Sequence, residues 1–384
     1  MRRRAVILTE IIAPYRIPVF NALAERSDID PHVIFLAEND PALRLWHVYK
    51  DEIKFSYEVL RGWRGRWGKH NVLLNAGVGM VLRRARPEAL VCGGYNYFAS
   101  WQAAWWATRN AVPLLLWSES NATDKRRNRA PVEFLKRRFS GMCRAFVAAG
   151  VSSRDYLIEL GAPTSSVFIA PDAVDVQMYA ARAAGARELR PELRAEHHLP
   201  ERYFLYVGRL VEEKGVFDLL AAYAALDEGI RAQVGLVFVG DGAVRAELER
   251  QAAKLHTGGI RFPGWVHREK ISEFYALAEA LVFPTHSDPW GLVVNEAMAC
   301  SLPIVASDVA GCVADLVRVS KNGFTFRPRD TGALSRILET LAGQPDLAER
   351  MGAESFEMIH SHTPEACAAG LAAAINFGCE NSAE

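Results

Sequence analysis

Short runs of Val, Ile, Leu, Ala and Phe alternate along this chain with longer stretches in which apolar residues recur every three or four positions. That alternation predicts βαβ units and parallel sheets. In the first half the expected strands are Ala5–Leu8, His32–Leu36, Ala89–Cys92, Leu114–Trp117, Ala145–Ala148 and Val167–Ile169, with helices over Ile17–Arg26, Val72–Arg84 and Tyr97–Arg109. Residues 173–200 lose strand character, turn Ala/Arg/Glu-rich, and read as a linker with one short helix. A second series follows, with strands at Tyr203–Val207, Val234–Val239, Ile260–Phe262, Ala280–Phe283 and Pro303–Ala306. Helices are expected among them at Phe217–Leu226, Ala243–Leu255, Ile271–Ala278, Leu292–Ala299 and Thr331–Leu341. The pattern therefore predicts an α/β chain with two doubly wound domains, 1–172 and 201–360. A last helix, Pro364–Ile375 within 361–384, follows a Ser-His-Thr-Pro break and packs on either domain, crossing back to the first being one option. Ligands of such sheets bind outside the carboxyl ends of the strands, so a cleft between two sheets is where chemistry is expected.

Composition narrows this picture in three ways. With 384 residues, half of them hydrophobic, the chain can bury two sizeable cores, and disorder is not the expectation. Its formal neutrality is a cancellation: residues 1–180 carry 25 Lys and Arg against 17 Asp and Glu, and residues 181–384 carry 20 against 28. A basic half faces phosphates, an anionic membrane or nucleic acid, or merely helps two domains approach each other. The six cysteines form no CxxC pair and fit reduced thiols in a cytoplasmic protein. Glu10 interrupts the apolar N-terminal stretch, which reads as a first strand with a basic leader and not as a signal peptide. The most hydrophobic region, Tyr95–Trp117, is broken by Arg109, Asn110 and Pro113, so any membrane contact is expected to be peripheral.

Four motifs carry candidate chemistry. In "YVGRLVEEKGVFDLL" a strand ends at Gly208 and Arg209, and Lys214 and Gly215 open the next helix. Such a turn offers free backbone amides and the positive end of a helix to an anion, and the two cations suit a diphosphate. A plain strand–turn–helix with solvated basic residues is the alternative. "FVGDG" repeats the grammar at Gly240, where a tight turn is the commoner meaning. Gly264-Trp265-Val266 follows a strand and could lay backbone groups against a flat base, with ordinary packing of Trp265 as the equal alternative. "HSDPWGLVVNEAMAC" places Asp288 on a bend, Gly291 and Leu292 at a helix start, and Glu296 about one and a half turns in. Carboxylates are the acceptors that sugar hydroxyls require, so Asp288 and Glu296 can grip the sugar and the ribose of a nucleotide diphosphate sugar. Either alone would more simply be a cap or a salt-bridge partner.

Taken in order, "VGRLVEEKG", "VGDG", "FPGWV" and "DPWGLVVNEAMACSLPIVASDVAG" resemble the retaining glycosyltransferases of family 4, the group 1 glycosyl transferases, and "ILTEIIAPYRIPVFNAL" is similar to the start of some members. The resemblance implies the GT-B fold, two Rossmann-like domains facing a deep cleft. It implies that Arg209 and Lys214 bind the donor diphosphate, Glu296 the ribose and Asp288 the transferred sugar, with Gly208, Gly240, Gly264, Val266, Gly291 and Leu292 lining the donor. Tyr15, Arg16 and Ser118 are the implied acceptor contacts. Two departures stand out. Asp288 replaces the first Glu of the family motif, and the strand end where many relatives carry a histidine reads "LLLWSESNATDKRR", which passes that catalytic place to Glu119 or Ser118.

The implied reaction moves a hexose-type sugar from a UDP or GDP sugar to a hydroxyl of a saccharide or lipid-linked acceptor in envelope or polysaccharide synthesis, with no cofactor beyond that co-substrate. No metal is proposed, because Asp28-Ile29-Asp30 lies before a strand and a Pro and reads as a turn. Arg209, Lys214, Asp288 and Glu119 form the expected catalytic set. Basic stretches at Arg61–Lys69, Lys125–Arg129 and Lys136–Arg138 suit an anionic membrane or a lipid diphosphate, with a merely solvated face as the equal alternative and nucleic acid as the weaker reading. The rival functions are a nucleotide-sugar epimerase or hydrolase, and a non-catalytic sugar-nucleotide binding protein.

Overall fold

Strands buried on both faces must send alternate side chains into two different cores, and the computed structural model of this protein shows that division residue by residue. It describes residues 2–39, 47–67, 70–123, 130–255 and 259–380. The chain forms two units, Met1–Ala173 with His362–Glu384, and Val174–Ser361.

The first unit holds a seven-stranded parallel sheet made of β1 (Arg3–Thr9), β2 (Ile29–Phe35), β3 (Ser56–Val59), β6 (Ala89–Cys92), β7 (Leu114–Ser118), β8 (Ala145–Ala148) and β9 (Val167–Ile169). Their spatial order is β3-β2-β1-β6-β7-β8-β9. A separate antiparallel hairpin pairs β4 (Gly62–Trp67) with β5 (His70–Asn75). Ala5, Ile7, Leu115, Trp117 and Val147 face one core, where Phe20 of the helix Ile17–Glu25 and Leu371 and Ile375 of the helix Pro364–Glu380 cover them. Val6, Leu8, Leu114, Leu116 and Phe146 face the other, under Leu82, Ala99, Ala103, Phe139 and Leu157. The period of two thus puts one strand into two cores, as a doubly covered parallel sheet requires.

The second unit repeats the plan with β10 (Tyr203–Val207), β11 (Gly235–Val239), β12 (Ile260–Gly264), β13 (Ala280–Phe283), β14 (Ile304–Ser307) and β15 (Gly323–Phe326), in the order β12-β11-β10-β13-β14-β15. Order reverses at β10, so the loops after β10 and β13 diverge at the carboxyl edge. One face is covered by the helices Val216–Ala224 and Thr331–Gly343. On the opposite side the helix Leu292–Ala299 packs against Val176–Glu188 and Pro345–Ile359.

The structure departs from the expectation in five places. The supposed linker is two helices, Val176–Glu188 and Arg190–Glu196: Asp175 caps the first by accepting from Met178 N at 2.9 Å, and Tyr179, Ala183 and Ala186 are buried along it. The expected helix over Val72–Arg84 is instead strand β5 followed by the helix Val78–Ala85, because a short apolar run such as "NVLL" does not fix its own period. Edge strands β3 and β15 and the helix Pro345–Ile359 are additional. Lys136, expected on a basic surface, is buried and hydrogen-bonded to the Tyr156 hydroxyl and to Glu133 at 3.0 Å. Lys125–Arg129 and Lys69 lie outside the described residues. Asp28 and Asp30 are held by Arg26 and Arg4 respectively, and Asp30 belongs to β2 and not to a turn.

Candidate functional site

The carboxyl edge of the second sheet is assembled by loops in backbone contact. Gly208 N donates to Val239 O at 3.0 Å and Gly240 N to Gly264 O at 2.8 Å, which ties the ends of β10, β11 and β12 together. A Cβ on Gly240 would lie 1.9 Å from the Gly208 carbonyl oxygen, so only glycine lets these two turns meet. The turn leaves Arg209 exposed, and among the described residues its guanidinium enters no ion pair. Lys214 ends a single 3-10 turn (Glu212–Lys214), and Gly215, at φ +68°, starts the helix Val216–Ala224. A Cβ there would meet the Pro284 carbonyl oxygen at 1.9 Å, so the first loop lies directly on the end of β13. His286 N donating to Glu213 O at 2.9 Å fastens the two.

That contact delivers Lys214 to Asp288: Nζ lies 2.5 Å from Asp288 Oδ2 and 3.2 Å from Ser287 O. The other carboxylate oxygen, Oδ1, accepts from Trp290 N at 3.1 Å. Gly311 N donates to Asp288 O at 3.1 Å and Cys312 N to Trp290 O at 3.2 Å, which pins this bend to the loop after β14. Buried Trp290 donates its indole N–H to Asn295 Oδ1 at 2.9 Å and anchors the bend in the helix that follows. Gly291 opens that helix, Leu292–Ala299, at φ +103° with no side-chain cap, leaving first-turn amides to an external acceptor. Burial raises the pKa of the Tyr206 phenol, Asp288 raises it further and Arg209 lowers it, so both charges act on one hydroxyl at the end of β10. Arg209, Lys214 and Asp288 are brought together.

Glu296 follows on the same helix and turns toward two tyrosines. Its Oε2 accepts from the Tyr275 hydroxyl at 2.7 Å, and Tyr179 is hydrogen-bonded to the same carboxylate. Burial pushes the Glu296 carboxyl above the usual range, against the lowering by both tyrosines and Arg268. These partners escaped sequence reasoning. Tyr179 lies in the supposed linker, and Tyr275 gives no local sign of which way its hydroxyl points. Val266 is half-buried and Trp265 exposed just past β12, with Gly264 held by its carbonyl to Gly240.

The carboxyl edge of the first sheet carries a second charged group. Arg16, immediately before the helix Ile17–Glu25, stacks its guanidinium over Trp117 at 3.8 Å and lies 5.7 Å from the Tyr15 ring. It is ion-paired with Glu119 and lies 4.0 Å from Asp172. Burial opposes the Arg16 charge, yet Glu119, Tyr15 and Asp172 hold its pKa above the ordinary value. Asp172, itself buried, was not anticipated. Ser118 is buried at the end of β7, and its Oγ accepts from Ser120 N at 3.2 Å, which shapes the turn.

Residues 190–358 match the family described as glycosyl transferases group 1. Alpha-D-kanosaminyltransferase of Streptomyces kanamyceticus is 34% identical over 164 residues, 42% of this chain and 42% of that protein. D-inositol 3-phosphate glycosyltransferase of Streptomyces griseus subsp. griseus is 31% identical over 211 residues, 50% of this chain and 44% of that one. The chain thus spans less than half the length of these curated relatives. HepE of Anabaena, solved in complex with UDP, is similar with a TM-score of 0.76 at 18% identity, over 98% of this chain and 100% of HepE. HepE with UDP-glucose gives 0.72 at 18% identity, over 96% and 98%. The likeness shows the fold, two Rossmann-like parallel-sheet domains of the GT-B type.

Proposed function

We propose, because residues 190–358 match the glycosyl transferases group 1 family, that the chain moves a hexose-type sugar, with retention, from a nucleotide diphosphate sugar to a hydroxyl of a saccharide or lipid-linked acceptor. One observation carries the reading. Arg209, exposed and without an ion pair among the described residues, Lys214 and an uncapped helix start converge on one carboxyl edge, more positive charge than Asp288 alone offsets. HepE was solved with UDP and with UDP-glucose, which supports a UDP sugar.

In this reading the diphosphate draws Lys214 away from Asp288. Asp288 Oδ1 stays on Trp290 N, and Oδ2 turns to a hydroxyl of the transferred sugar. As the glycosidic bond lengthens, negative charge grows on the diphosphate and is met by Arg209, Lys214 and the helix amides. The acceptor oxygen attacks from the face the diphosphate leaves, and its proton passes to the departing phosphate oxygen. Glu296, oriented by Tyr275 and Tyr179, accepts from the ribose hydroxyls. Glu119 is committed to Arg16, so these two act as an acceptor-orienting pair, with Glu119 not a free base.

The direct test is a thermal-shift series with UDP, GDP and their common sugars, followed by product analysis with and without added acceptor. UDP and a UDP sugar are expected to raise Tm by mass action. An epimer formed without acceptor, or no stabilisation by any nucleotide, would refute the transferase reading.

The raised carboxyl pKa adds a prediction. Donor binding needs Glu296 ionised, so kcat/KM falls on the acid side from a pH above the usual carboxylate range. Tyr275→Phe removes a donor that lowers this pKa, so the acid limb moves to higher pH. A pH profile unchanged by the substitution would detach Glu296 from the donor.

A further inference from the structure

Lys214 and Asp288 belong to separate loops, one after β10 and one after β13, so their 2.5 Å contact needs both loops held at a fixed spacing. The main-chain contacts at Gly215 and Glu213 supply part of that hold. A side-chain pair supplies another part: His286 Nε2 lies 2.5 Å from Asp218 Oδ2. A carboxylate only accepts, so the ring hydrogen sits on Nε2 and is donated to Asp218. Asp218 is the third residue of the helix Val216–Ala224, whose Val216, Leu219 and Leu220 are buried in the core of the second unit. His286 stands two residues before Asp288 and three past the end of β13, and Thr285 beside it is buried with its hydroxyl donating to Ser287 O at 2.9 Å. The pair therefore ties a packed helix to the bend that carries Asp288, with the imidazole 12% and the carboxylate 22% exposed.

Donor binding gives this tie its work. Lys214 and Asp288 link the two loops through their own ion pair, but the step described above separates them, Lys214 going to the diphosphate and Asp288 to the sugar. Ser287 O, which Lys214 also holds at 3.2 Å, is released in the same movement. The spacing of the loops must then rest on contacts that the donor leaves alone, and His286 to Asp218 is a side-chain contact of that kind. An acid in a first helical turn would by itself serve only its own helix, since negative charge is favourable there. The imidazole brought to it from the other loop is what that simpler role leaves unexplained.

We propose, on the transferase reading of this edge, that His286 and Asp218 form a positioning pair that sets the distance between the diphosphate-binding lysine and the sugar-binding aspartate. Neither residue touches the donor; both act through Lys214 and Asp288. A bare nucleotide meets only the lysine side of that spacing, whereas a nucleotide sugar meets both sides. The full-length protein is given the nucleotide sugar that stabilises it most in the thermal-shift series, and nucleotide release is followed without acceptor. His286→Leu and Asp218→Ala should each lower kcat by about tenfold or more, while stabilisation by the bare nucleotide stays that of the unsubstituted protein. His286→Gln, whose amide nitrogen reaches nearly as far as Nε2, should keep most of the rate. The double variant His286→Leu/Asp218→Ala should be no slower than the slower single variant, because both changes break one contact. His286→Asn, polar but too short to reach Asp218, takes the place of His286→Leu if that variant does not fold, with the same loss expected. Unchanged kcat in the single variants, losses that multiply in the double variant, or a loss of nucleotide stabilisation as large as the loss of rate would overturn the pair and leave the transferase reading standing. No turnover of any nucleotide sugar by the unsubstituted protein would end that reading, and the pair with it.

Discussion

Lys214→Ala is expected to lower kcat/KM for a UDP sugar by ~10²–10³-fold, with more of the loss in kcat than in donor affinity. Two effects add. The growing charge on the leaving diphosphate loses a cation that is already aimed before reaction, and Asp288, which Lys214 now neutralises at 2.5 Å, loses that cation beside an anionic substrate. The two can be separated. Lys214→Ala/Asp288→Asn removes the repulsion but not the missing cation, so it should recover donor binding while kcat stays low. Steady-state kinetics with parallel UDP titrations decide it. Full activity of Lys214→Ala would end the assignment, and so would complete rescue by the double variant. Arg209→Ala, which breaks no ion pair among the described residues, should show the kinetic loss without the repulsion.

The second large effect is on folding. Gly215→Val is expected to destabilise the second unit by roughly 2–5 kcal/mol, from overpacking together with a left-handed backbone that a β-branched residue resists. The obstructing atom is the Pro284 carbonyl oxygen, part of the main chain at the end of β13, so relief requires the Lys214 loop to lift off. Tm should drop by about 10 °C, and the residual stabilisation by UDP should vanish with it. Gly185→Ala is the control: it lies inside the helix Val176–Glu188 with nothing within 4 Å of the added carbon, and should be neutral or stabilise by up to ~1 kcal/mol. Equal Tm values for the two variants would contradict the close packing of the loops.

Central strands were readable because they are buried on both faces and therefore continuously apolar: Ala89–Cys92, Ala145–Ala148 and Tyr203–Val207 are legible to the residue. Edge strands lack that signature. Ser56–Val59 is largely half-exposed, and the Gly62–Asn75 hairpin interleaves tryptophan with arginine, which looked like a charged surface stretch. Site residues divide in the same way. Arg209, Lys214 and Asp288 sit on turns whose glycines and proline mark them locally. Tyr179 and Asp172 act through partners far along the chain, and Lys136 differs from an exposed lysine only through Tyr156, twenty positions on. For Ser118 the strand-end position was legible but the bond from Ser120 N to its hydroxyl was not.

The C-terminal helix has a consequence for biogenesis. Leu371 and Ile375 cover Leu115 and Val147, and Arg3 Nη1 donates to Asn376 O at 2.8 Å, so one face of the first sheet is sealed by residues that leave the ribosome after the whole of the second unit. At ~5–20 residues per second of synthesis, the earlier-made half waits bare-faced while the later-made half already holds everything it requires. The order in which this nascent chain can close is therefore the reverse of the order in which it is written.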